Sequence, residues 1–259
     1  MAAVATAGAP PRAKRARSAG AVTYPSPRTS SRWADDQKLP AHILRRLANG
    51  QAVVARGGNM SRGYLFAKRA LDIAGATVLL TLLSPILMVT TVVLVVTTRG
   101  RPFFRQRRLG QGGRTFSMWK FRSMVVGADA RLHLVPNEAQ GPIFKNRRDP
   151  RITRIGAILR KTSVDELPQL FNVLLGHMSL VGPRPPVARE VAEYEPWQLR
   201  RLAVKPGLTC LWQVSGRSEV GFEDWVRMDL WYVDNQSLLT DIELLLATPR
   251  SVLSCRGAF

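Results

Sequence analysis

From Ile73 to Val96 the chain carries about 24 residues without a charge, apolar on every face of a helix. At ~1.5 Å per residue that run is long enough to cross a bilayer, so the pattern predicts a membrane helix. Ser84-Pro85 interrupts it near the middle. Proline removes a helical hydrogen bond and kinks the axis, and the serine hydroxyl can satisfy a freed carbonyl. Basic residues flank both ends, with Arg62, Lys68 and Arg69 before the run and Arg99, Arg101, Arg105, Arg107 and Arg108 after it. A true span concentrates such residues on the cytoplasmic side. Two topologies therefore stand side by side: a kinked span, and a helix that dips into one leaflet and returns with both ends cytoplasmic.

Downstream, alternating positions at Phe103 to Arg105 and Thr115 to Phe121, on either side of a Gly110 to Gly113 turn, predict a small β-hairpin carrying Lys120 and Arg122. The glycines match neither a Walker A loop nor GxGxxG. Phe222 to Tyr232 and Leu238 to Leu253 read as helices, and Pro196 to Leu202 as a short amphipathic segment. Trp225, Trp231 and Tyr232 suit a membrane–water boundary and suit a buried core equally. Residues 205 to 218 show turn, strand and turn signals. Residues 1 to 35, rich in Ala, Pro, Ser and Arg without apolar periodicity, are expected to be disordered, followed by one short helix over 37 to 50. The basic tail has no apolar h-region and is no secretory signal; it reads as a solvated tail or, alternatively, as an electrostatic tether to anionic lipid.

The central stretch is Leu159-Arg-Lys-Thr-Ser-Val-Asp-Glu-Leu-Pro-Gln-Leu-Phe-Asn-Val-Leu-Leu175. Ser163 with Glu166 three residues on is a capping-box pattern, and Pro168 fits a first helical turn. That reading leaves Asp165 unexplained. Neighbours at i and i+1 point in different directions, so Asp165 and Glu166 cannot share a proton and suit two different tasks. Arg184 lies between Pro183 and Pro185 on a stiff backbone that would fix a guanidinium for phosphate at low entropic cost.

Charge adds a class of partner. Lysine and arginine outnumber acids 38 to 18, for a formal charge of +20, which favours nucleic acid, anionic lipid or phosphorylated metabolites without choosing among them. Cys210 and Cys255 build no disulfide framework, which points to a reducing compartment, and His42, His133 and His177 form no zinc pattern.

Several ordered motifs occur together: a basic pair before Ser-Val-Asp-Glu-Leu-Pro-Gln-Leu-Phe-Asn-Val-Leu, then Met-Ser-Leu-Val-Gly-Pro-Arg-Pro, Lys-Pro-Gly-Leu-Thr and Trp-Gln-Val-Ser-Gly-Arg, all after a membrane segment broken at Ser-Pro. From about Lys68 to Phe259 the chain closely resembles the bacterial sugar transferase family, the monotopic polyprenyl-phosphate hexose-1-phosphate transferases. The resemblance implies transfer of a sugar 1-phosphate from a UDP-sugar to undecaprenyl phosphate, with release of UMP, to start exopolysaccharide, capsule or glycan assembly. It makes Asp165 the nucleophile of a covalent phosphosugar intermediate and a Mg²⁺ ligand, and gives Glu166 the task of activating or positioning the lipid phosphate. It implies phosphate contacts from Arg160, Arg184, Lys120 and Arg122, nucleotide contacts from Gln213 and Arg217, and re-entry at Ser84 and Pro85.

The resulting fold class is α+β, mainly helical: a membrane-embedded re-entrant helix, a small β-hairpin and amphipathic interfacial helices. It divides into an N-terminal extension over 1–65, a membrane anchor over 66–100 and a cytoplasmic catalytic domain over 101–259. The expected location is the bacterial inner membrane, cytoplasmic face, with anionic lipids as partners and no nucleic acid; oligomeric state is left open, a homodimer included. Larger relatives carry further spans and a nucleotide-binding-like domain before this core, so a minimal catalytic form is expected. The competing reading is a membrane-anchored lipid- or nucleic-acid-binding module without catalysis. It would interleave basic residues with stacking aromatics, whereas here the arginines cluster around an Asp-Glu pair.

Overall fold

Ser61 caps the first helix, its Oγ accepting from the Tyr64 N–H at 3.1 Å, and α1 runs over Arg62–Leu82. The computed structural model describes residues 61–98, 101–139, 141–215 and 221–254. The N-terminal extension with its expected helix over 37–50, and also Arg99, Arg217 and Cys255, lie outside the described residues. α2 covers Ser84–Thr98, and the axis bends by 61° between the two helices. The cause is local. Pro85 has no N–H to offer the Thr81 carbonyl four residues back, and the Ser84 hydroxyl donates to that oxygen instead at 2.8 Å. Broken in this way, no single helix among the described residues is long and apolar enough to cross a membrane.

β1 (Phe103–Leu109) and β2 (Thr115–Phe121) form the expected hairpin, antiparallel in a register that runs from Phe103 opposite Phe121 to Leu109 opposite Thr115. The turn depends on Gly112 and Gly113, at φ 66° and 74°, a region open to glycine at little cost. β1 continues four residues past the Arg105 expected from alternation, because the backbone ladder continues to Leu109 whatever the side chains do.

The rest follows as α3 (Arg154–Lys161), α4 (Gln169–Leu174), β3 (Ser179–Val181), α5 (Ala188–Ala192), β4 (Gly207–Thr209), α6 (Leu211–Ser215), α7 (Phe222–Asp234) and α8 (Leu238–Ser254). β3 and β4 pair in parallel. The architecture is mainly helical with two small sheets. Over 205–218, the strand is Gly207–Thr209 and Leu211–Ser215 coil into α6; residues 216–218 of the expected second turn lie outside the described residues. The segment around Pro196 to Leu202 is a 3₁₀ stretch over Gln198–Ala203. Of the four aromatics on α7, Phe222, Trp225 and Tyr232 belong to the core, and only Trp231 is half exposed.

Both arms of the bent pair are bound to the same body. On α1, Lys68 reaches Asp241 on α8 at 2.9 Å, where the Tyr232 hydroxyl also donates at 2.6 Å, and Asp72 accepts from the Ser179 hydroxyl and the Leu180 N–H, both at 2.8 Å. Buried carboxylates satisfied in this way hold a helix in one orientation, since removing either partner strands a charge. On α2, Leu94 is fully buried against Phe121 of β2 and Leu159 of α3.

α3 approaches the hairpin so closely that a Cβ at Gly156 would lie 1.8 Å from the Ser123 carbonyl oxygen. Gly156→Ala is therefore expected to cost about 3 kcal/mol or more, since backbone must move to admit the methyl. That loss lowers the thermal midpoint by roughly 6–12 °C. A melt of the purified protein that matched wild type would show that α3 is not seated there.

Candidate active site

The Asp-Glu pair sits in a 3₁₀ turn, Val164–Glu166, between α3 and α4. Ser163 takes a left-handed conformation, φ 59°, and its side chain makes no cap hydrogen bond, so the capping box expected with Glu166 does not form. The residue turns the chain there instead of starting a helix. Pro168 then stands at the N-cap of α4.

As expected for adjacent positions, the two carboxylates diverge. Asp165 is buried, 6 % exposed, whereas Glu166 keeps 26 % of its side chain open and accepts from Lys120 Nζ at 2.7 Å. Asn172 sets this meeting of β2 with the turn. Its Nδ2 donates to the Ser117 carbonyl at 2.8 Å and its Oδ1 accepts from the Trp119 N–H at 2.9 Å, which ties α4 to β2 immediately beside Lys120.

One cleft brings together Lys120, Glu166, Gln169, Arg184 and Gln213, walled by Met118, Pro185, Leu208 and Gly207. Arg108 lies buried behind it, its Nη1 donating to the Pro185 carbonyl. The field in the cleft separates the two acids. Around Glu166, burial favours the neutral form, but Lys120, Arg184 and Arg108 outweigh it and hold the carboxyl well below the usual range. For Asp165, burial and the charge of Glu166 win over Lys120 and Arg160, so its carboxyl stands above the usual range. Glu166 is thus a charge already neutralised by its neighbours. Asp165 is a more basic carboxylate, chiefly because it is buried.

Of the other residues singled out from the sequence, Arg160 occupies the last turn of α3, close enough to lower the Asp165 carboxyl without lining the cleft. Arg122 lies just past the end of β2, where its Nε donates to the Arg101 carbonyl at 2.9 Å; it does not line the cleft. Ser84 and Pro85 sit at the helix break. Gln169, Arg108 and Asn172 went unnoticed. Gln169, three residues after Glu166, was within reach of helical spacing, but Arg108 passed as one more basic residue after the membrane run.

The sequence model of the family described as "Bacterial sugar transferase" matches residues 63–255. The chain belongs to the bacterial sugar transferase family. Among the relatives of this chain, the "Galactosyl transferase CpsE" of Streptococcus agalactiae is 46 % identical over 198 residues, covering 75 % of this chain and 44 % of the relative. The "Undecaprenyl-phosphate galactose phosphotransferase" of Salmonella typhimurium is 44 % identical over 207 residues, 76 % of this chain and 43 % of its own length. The "Exopolysaccharide production protein ExoY" of Rhizobium meliloti is 39 % identical over 199 residues, covering 74 % of this chain and 88 % of that protein. The chain thus spans less than half the length of the first two and most of the third.

Proposed function

We propose that this chain is a phosphoglycosyl transferase that moves a sugar 1-phosphate from a UDP-sugar to undecaprenyl phosphate, releasing UMP, as the first membrane step of exopolysaccharide, capsule or glycan assembly. The observation that carries the reading is the separation of the two acids: Glu166 lines the cleft with Lys120 and Arg184 and is paired with Lys120, whereas its neighbour Asp165 is buried at the cleft's edge without lining it, its carboxyl raised by that burial.

In this reading an Asp165 carboxylate oxygen attacks the phosphorus next to the sugar, the bond from that phosphorus to the UMP oxygen breaks, and UMP leaves. An oxygen of the lipid phosphate then attacks the same phosphorus and displaces Asp165. Arg184 and Lys120 offset the charge of the phosphate oxygens, and Arg160 adds to the field at Asp165. Glu166, kept ionised, orients Lys120 and the incoming phosphate. Gln213, which lines the same cleft, is assigned the contact with the nucleotide.

Among the described residues no group of three or more His, Cys, Asp or Glu could hold a metal ion. Mg²⁺ needs no such cage, because it is commonly held by one or two carboxylates with substrate phosphates and water. With Glu166 given to Lys120, Asp165 is the carboxylate that would hold it, and the ion would supply charge neutralisation at the diphosphate.

The helix pair completes the reading as a re-entrant anchor. Its apolar side chains, among them Val78, Leu82, Ile86, Met88, Val92 and Val96, are exposed. A straight helix would carry Leu94 about 18 Å beyond Leu82, away from Phe121 and Leu159. On α8 the exposed Leu239, Ile242, Leu246 and Leu253 share one helical face, suited to resting on the same anionic lipid surface of the inner membrane.

The test is incubation of membranes bearing this chain with undecaprenyl phosphate and a panel of labelled UDP-sugars, followed by extraction of lipid-linked label. Label in no sample would overturn the assignment. With the active sugar, initial-rate plots against one substrate at several levels of the other are expected to be parallel, because UMP leaves before the lipid phosphate reacts. Intersecting plots would mean direct attack by the lipid phosphate.

A further inference from the structure

The loop Pro183-Arg184-Pro185-Pro186 is held from outside at every carbonyl. The Pro183 oxygen accepts from the Gly207 N–H at 2.9 Å, Arg184 from Arg201 Nη2 at 3.1 Å, Pro185 from Arg108 Nη1 at 2.9 Å, and Pro186 from the Leu109 N–H at 2.9 Å. Three of the four residues lack an N–H, so the loop cannot organise itself through its own ladder. Its orientation is delegated to β1, β4 and the 3₁₀ stretch over Gln198–Ala203.

Two of those four donors are buried guanidiniums, a costly way to hold backbone. Arg201, 2 % exposed, is paired with Asp229 on α7 and donates to the Tyr194 hydroxyl oxygen at 2.8 Å. Arg108, 7 % exposed, donates from Nε and Nη2 to the Gln106 side-chain oxygen at 3.0 and 2.7 Å, so it donates here to two neutral acceptors, Gln106 and Pro185. Burial, with the charge of Arg184 added, pushes the Arg108 guanidinium down to about 10. A fold that merely needed a rigid loop could use neutral donors. Two buried cations grasping adjacent peptide oxygens, with one cationic side chain between them turned to the cleft, imply that the direction of that side chain is what they serve.

We infer that Arg108 and Arg201 are positioning residues, which aim Arg184 at the diphosphate of the nucleotide-sugar substrate by fixing the peptide oxygens of Arg184 and Pro185. The inference rests on the reading of Arg184 as a phosphate ligand. Arg108 and Arg201 are not themselves assigned contact with substrate. A lysine at either position keeps the charge but cannot bond two acceptors with a planar fork.

The test is a double-mutant cycle on the full chain in membranes, with initial rates measured against UDP-sugar for wild type, Arg184→Ala, Arg108→Lys and the double variant. Arg184→Ala is expected to raise KM roughly 10-fold or more, the usual worth of a charge-assisted phosphate contact. Arg108→Lys should raise KM several-fold with a smaller change in kcat. In the Arg184→Ala background Arg108→Lys should add less than about 2-fold, because there is no longer an arginine to aim. Equal losses in both backgrounds would mean that Arg108 only supports the fold, and would overturn the inference while leaving Arg184 a ligand. An unchanged KM in Arg184→Ala would instead remove the phosphate-ligand reading, and the positioning roles with it. Arg201→Lys, which keeps a cation opposite Asp229, enters a parallel cycle; where melting shows it unfolded, the Arg108 cycle decides.

Discussion

Asp165→Asn is expected to reduce sugar-phosphate transfer by roughly 10³-fold or more while leaving the protein folded, because an amide cannot form the bond to phosphorus that divides the displacement into two steps. The fold should tolerate it. The Asp165 carboxyl stands above its ordinary range chiefly through burial. A carboxyl whose folded pKa is raised binds its proton more tightly when folded, so above that pKa its charge works against the fold. Replacing it by a neutral isostere therefore leaves the thermal midpoint unchanged or higher. Glu166→Gln should behave differently. Glu166 sits below the usual range through Lys120, Arg184 and Arg108, overcoming burial, so its charge supports the fold at neutral pH and that support is lost as pH falls toward the lowered pKa. The Gln variant leaves these cations uncompensated, losing both rate and melting temperature. Activity near wild type in Asp165→Asn would sink the nucleophile assignment. Mass analysis after UDP-sugar alone should show a hexose phosphate on wild type and none on the Asn variant.

Single cysteines at the exposed Arg62 and at Arg101, in a protein lacking Cys210 and Cys255, should both be labelled only by reagent on the cytoplasmic side of the membrane. The expectation follows from the two anchors: α1 is bound through Lys68 and Asp72 and α2 through Leu94, all to one body. A span would have to leave one of them. Labelling of either cysteine from outside would establish a span. Pro85→Leu restores an N–H for the Thr81 carbonyl and removes the reason for the bend. A straighter helix pulls Leu94 from Phe121, the neighbour of Lys120, so transfer should fall with the change in topology.

Where a feature depends on near neighbours, the sequence alone determined it. The break at Ser84-Pro85 needs only a missing N–H and a hydroxyl one residue earlier, and the structure shows that exchange at Thr81. The hairpin needs a glycine turn between alternating strands, and the divergence of Asp165 from Glu166 needs only adjacency. Features that depend on packing were decided by the tertiary structure. Lys120 and Arg122 looked equivalent in Lys-Phe-Arg-Ser-Met, but Asn172 ties β2 to α4 so that Lys120 meets Glu166, 46 residues away, while Arg122 passes the strand end and binds the Arg101 carbonyl. Ser163 carried a capping-box spacing, yet the chain uses it at φ 59° to turn from α3 toward the hairpin. Arg108 was indistinguishable from Arg105 and Arg107 as a flanking charge. Only the closing of β1 against the Pro183–Pro186 loop buried it, because a side chain's partners across 77 residues are set by how surfaces pack and not by spacing along the chain.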